Sequence, residues 1–281
     1  MSLGEATDRL PALSGLAKIY ESRLKCRYLA GHWETGFLKS LCWSGARESQ
    51  HTIPEYIAPS WSWASTLGYV DTSLMSKDVY TRDLTKVLDV SDVSIVPSKA
   101  YPTGEFSSGL LKLYGPMKEF EVDPERGWIP LTRPVGISSP ENSMSIFSGM
   151  TCHCDAYPDS NFVLRPDHAP ENSEGTDVDL HWARRISLLP LTVSVSKLDD
   201  VTHNTPGLRG IMLQRKEETS DVYVRVGNFE CSRFDRRSPE LVDWDSKKTT
   251  GEMEPYWQHR LTFDEVYDLY SKEPMVEVTV I

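Results

Sequence analysis

Ala58-Pro59-Ser60-Trp61-Ser62-Trp63-Ala64-Ser65 is the stretch whose reading decides the fold. Period-two alternation sends Trp61 and Trp63 to one face of a strand and Ser60, Ser62 and Ala64 to the other, with Pro59 fixing the start. Two indoles side by side must face a core or a ligand. Burying one Trp removes on the order of 200 Å2 from water, which makes it an anchor wherever it sits. Pockets are lined by the same aromatic residues, so the strand is expected either in the core or on a cavity wall.

On the N-terminal side, Leu10, Leu13, Leu16, Ala17, Tyr20 and Leu24 recur at three and four. This predicts a helix from Asp8 to about Leu24, with Asp8 as its cap, Pro11 in its first turn and an apolar stripe for a sheet to receive. A second short helix is predicted from Glu34 to Trp43, placing Trp33, Phe37 and Leu41 on one face before Gly45 ends it.

On the C-terminal side the pattern turns to strands. They are expected over 79–96, over 109–122 with a break at Gly115-Pro116, and over Ile186-Ser187-Leu188-Leu189-Pro190-Leu191. The clearest hairpin runs from Leu208 to Lys216 and from Asp221 to Cys231. Val222, Val224 and Val226 share one face there, opposite Tyr223 and Arg225, and one side is expected to be wet. Thr262-Phe263-Asp264-Glu265 is a capping box, with Leu261 and Val266 as a hydrophobic staple, for a helix to about Tyr270. Val276, Val278 and Val280 then alternate in a terminal strand that must pair inward or fray.

Together these elements predict a single domain over 1–281: a helical layer over 1–45, then a β-barrel over 58–281. The fold class is mainly β (α+β), an antiparallel closed or nearly closed β-barrel with two N-terminal helices and one C-terminal helix packed on it; closure removes exposed edges. Pro-rich residues 124–179, with an acidic tip over 171–177, read as a long loop region around one short strand, either a lid or a disordered insertion.

The composition excludes several partners. A formal net charge of −11 repels phosphate backbones, so no nucleic acid is expected. No apolar run approaches the roughly 18 residues of a membrane span. The N-terminus has neither the basic region nor the apolar core of a signal peptide. Five cysteines, an odd number in a chain of 281 residues, read as free thiols in a cytoplasmic protein.

The ordered runs Thr7-Asp8-Arg9-Leu10-Pro11-Ala12-Leu13-Ser14-Gly15-Leu16-Ala17, Tyr28-Leu29-Ala30-Gly31-His32-Trp33, Leu41-Cys42-Trp43 and Ala58–Ser65 carry a resemblance. Together they resemble the C-terminal region of fungal heterokaryon-incompatibility (HET) domain proteins, with weaker echoes at Leu189-Pro190-Leu191, Gly210–Gln214 and Val278–Ile281. The sequence lacks the N-terminal HET domain itself, so its death-triggering activity is not carried over, and the family offers no catalytic residues at the matched positions. The resemblance implies a fungal origin and a β-rich module able to stand alone.

Nucleotide-binding loops, a Gly-x-Ser-x-Gly elbow, Cys-x-x-Cys and His-Glu-x-x-His are absent from the sequence. Cys152-His153-Cys154-Asp155 offers metal ligands only superficially, because neighbours on a strand point to opposite faces; no metal is expected there. His153 with Asp155 would form an acid-base pair if both faced a pocket.

Aromatic wealth and a barrel with a long loop suit a cofactor-independent fungal secondary-metabolism enzyme that folds an apolar small-molecule substrate, such as a cyclase of the Diels-Alder type. Trp61, Trp63 and Trp182 would bind the substrate, while Tyr69, His181 or Arg185 would polarise a carbonyl. The alternative is a non-catalytic protein-interaction module with a protein partner, which calls for an exposed apolar patch and a filled core.

Overall fold

The computed structural model describes residues 8–45, 56–66, 70–72, 78–87, 93–97, 106–122, 131–134, 162–166, 185–196, 206–217, 220–231 and 262–281. Three α-helices fall within them: α1 (Arg9–Leu24), α2 (Phe37–Ser40) and α3 (Phe263–Ser271). The strands are β1 (Tyr28–Leu29), β2 (His32–Trp33), β3 (Ser44–Gly45), β4 (Val70–Asp71), β5 (Asp78–Asp83), β6 (Val93–Pro97) and β7 (Phe106–Pro116). They continue with β8 (Lys118–Val122), β9 (Leu131–Pro134), β10 (Phe162–Pro166), β11 (Arg185–Ser196), β12 (Pro206–Arg215), β13 (Val222–Cys231) and β14 (Met275–Val280). The chain is mainly β, as expected.

One sheet runs in the order β6-β7-β14-β13-β12-β11-β8-β9, with β5 added to β11 and β10 to β13. It is not closed into a barrel, which corrects the expected closure. The reason is that the two long strands divide their partners along their length. Residues 185–188 of β11 pair with β8 and residues 192–196 with β5, so that edge splits in two. Likewise β14 pairs with Val222 and Tyr223 of β13, whereas β10 takes residues 227–231. A bulge sits at each division: Leu191 and Val226 are the extra residues opposite β12. The sheet is curled all the same. β7 and β8 are consecutive across Met117, one pairing with β14 and the other with β11.

Strands β11 and β12 are buried on both sides, which explains the continuous apolar run at Leu188–Leu191. On one face Ile186, Leu188, Leu208, Met212 and Phe229 pack under Val266 and Tyr270 of α3. On the other Leu189, Leu191, Ile211, Leu213 and Tyr223 pack under Leu29, Phe37, Leu41 and Trp61 of the N-terminal layer. Each such aliphatic side chain taken fully from water contributes about 1.5–3 kcal/mol.

Helix α3 has its capping box: Thr262 Oγ1 accepts from the Glu265 N–H at 3.4 Å and Glu265 Oε2 accepts from the Thr262 N–H at 2.8 Å. Arg82 of β5 reaches α3 with an ion pair to Asp264 at 3.0 Å. Its guanidinium carbon also stands 5.0–5.5 Å from the rings of Tyr80, Phe263 and Tyr267.

Three local expectations are corrected. Asp8 makes no side-chain cap on α1. The second helix spans only Phe37–Ser40, because the Cys42 and Trp43 carbonyls accept from side chains of β13 instead of continuing a helix. No side of β13 is wet: Tyr223 and Arg225, at 2% and 3% exposure, face the N-terminal layer, and Val226, Phe229 and Cys231 on the other side belong to the core under α3. The predicted loop region 124–179 contributes β9 and β10; its other residues, including Cys152, His153, Cys154 and Asp155, lie outside the described residues.

Candidate functional site

The tryptophan segment does not form a strand. Pro59 lacks a donor, Ser62 N–H turns back to the Pro59 carbonyl at 2.9 Å, and Trp63–Ser65 makes one 3-10 turn. Ser62 Oγ accepts from the Ala64 N–H at 3.1 Å and donates to the Ala30 carbonyl at 2.6 Å, so the hydroxyl caps its own turn and ties it to the preceding loop. Period-two logic fails for this physical reason, and the two indoles part company. Trp61 enters the core with Phe37, ring centres 5.8 Å apart, and His32 at 6.0 Å. Trp63 is half-buried in a smaller cluster with Leu10, Ile57, Ala58 and Ala64.

The hydroxyls of Ser60, Ser62 and Ser65 and the Trp63 indole all bond to backbone. Trp63 Nε1 donates to the Gly31 carbonyl at 2.8 Å. Gly31 has φ of +99°, and a Cβ there would run into the Trp63 indole. Pro59 lies against Gly109 of β7, where a Cβ would also collide. Ser60 N–H donates to the Ile281 carbonyl at 3.1 Å, Ser60 Oγ donates to the same oxygen, and Ser60 Oγ accepts from the Arg225 N–H at 3.0 Å. Ile281 N–H in turn donates to the Tyr223 carbonyl at 3.0 Å. One serine thus holds the C-terminal residue beside β13.

Next to it lies a buried polar knot that the sequence reading missed. The Val226 bulge puts Arg225 and Asn228 on the same face of β13 despite their odd spacing. Arg225 Nη2 donates to the Trp43 carbonyl at 2.6 Å, Nε donates to the Gly227 carbonyl at 3.3 Å, and Cζ stands 3.4 Å from the Trp43 ring centre. Asn228 Nδ2 donates to the same Trp43 carbonyl at 2.9 Å, and Trp43 Nε1 donates to the Trp61 carbonyl at 3.1 Å. The only sequence signal was Arg225 opposite a valine row, which reads more simply as solvated.

His32 and Ser40 come within 2.8 Å at Nδ1 and Oγ, the distance of a nucleophile and its base. The surroundings of His32 work against that role. Burial, reinforced by the charge of Arg225 and opposed by the Trp61 carbonyl, lowers the His32 pKa to about 3. A base that weak is mismatched to proton abstraction near neutral pH. Ser40 Oγ also donates to the Phe37 carbonyl at 2.7 Å, a helix-turn contact.

Of the residues proposed from sequence, Trp61, Trp63 and Arg185 fall among the described residues. Trp61 has no accessible surface, either outside or towards a water-sized void. Arg185 opens β11 in an exposed position, 4.0 Å from the Glu119 carboxylate. Tyr69, His181 and Trp182 lie outside the described residues. No group of three or more His, Cys, Asp or Glu among the described residues is arranged to hold a metal ion. Among them, too, no helix is long and apolar enough to cross a membrane.

The other unusual surface is α1. Only Leu10 and Ala17 are buried, and every residue from Lys18 to Lys25 is exposed. Leu13, Leu16, Ile19, Tyr20 and Leu24 are 38–56% exposed, so the expected stripe exists but the sheet does not receive it. Searches against protein-family models, curated proteins and solved structures find no match to the chain.

Proposed function

We propose that the chain is a non-catalytic protein-interaction module, related to the C-terminal region of HET-domain proteins as the sequence runs suggest. The observation that carries this reading is α1. Five large apolar side chains face water on one helix, an arrangement that marks contact surfaces and that an isolated helix of this length does not sustain well. The fate of Trp61 supports the same reading, since a side chain without accessible surface shapes no cavity. Among the described residues nothing favours the cyclase reading.

Titration of the purified chain with cis-parinaric acid, an apolar polyene whose fluorescence rises in a cavity, tests this. The expected result is no saturable uptake. One-to-one uptake that Trp61→Phe alters would overturn the proposal and restore the small-molecule enzyme.

A further inference from the structure

We draw no further inference here: the strongest candidate, the three rings of Tyr80, Phe263 and Tyr267 gathered around a cation at the surface between β5 and α3, is filled by the guanidinium of the chain's own Arg82, and nothing in the structure points to a ligand that would displace it.

Discussion

Arg225 and Trp43 are joined twice: the guanidinium carbon stands 3.4 Å from the indole centre, and Nη2 donates to the Trp43 carbonyl at 2.6 Å. A planar fork can stack and donate at once, and an ammonium cannot. Arg225→Lys should therefore cost about 2–4 kcal/mol in urea unfolding, because it keeps a buried charge and strips its partners. Arg225→Met, which removes the charge and keeps much of the volume, should cost less. The reverse order would mean that the brace is not what holds this corner.

Two glycines should respond with opposite signs. Gly31→Ala meets both a φ of +99° and the Trp63 indole, and should cost about 2 kcal/mol or more. Gly15→Ala, inside α1 with nothing within 4 Å of an added Cβ, should stabilise by about 0.5–1 kcal/mol. Thermal unfolding of both variants beside the parent checks the pair.

His32 makes a prediction about acid. Its folded pKa lies near 3, below the ordinary 6.5, so the unfolded chain binds the proton first. The contribution is complete above about pH 6.5 and is lost as pH falls towards 3, with a slope approaching about 1.4 kcal/mol per pH unit. His32→Gln should lower stability at pH 7 and flatten the slope between about pH 6 and 4 by close to one proton. Urea unfolding at several pH values reads this directly; an unchanged slope would show that His32 titrates normally.

Loss of the Thr262 hydroxyl should cost α3 its first-turn cap. Thr262→Ala is expected to destabilise by about 1 kcal/mol in thermal unfolding, and Thr262→Ser by much less.

Where chemistry was local, the sequence was readable. The capping box at Thr262, the hairpin of β12 and β13 and the inward pairing of β14 follow from spacing alone, as does the extent of α1. What failed depended on partners far along the chain. Ser62 looked like the polar side of a strand because nothing nearby reveals that its hydroxyl bonds to Ala30. The burial of Arg225 was not legible because its carbonyl partner at Trp43 lies 182 residues away and Val226 hides the bulge that turns Asn228 to the same side. Closure was overpredicted because pairing patterns along β11 and β13 cannot be read from apolar content. The row on α1 was legible as apolar, but its exposure was not.

The central claim, that Trp61 is packed in the core and lines no cavity, is tested most directly by titrating the parent and Trp61→Phe with cis-parinaric acid while melting is followed in parallel. The account predicts a lower melting temperature for Trp61→Phe and no saturable uptake by either protein. One-to-one uptake by the parent that Trp61→Phe alters, with melting unchanged, would contradict it.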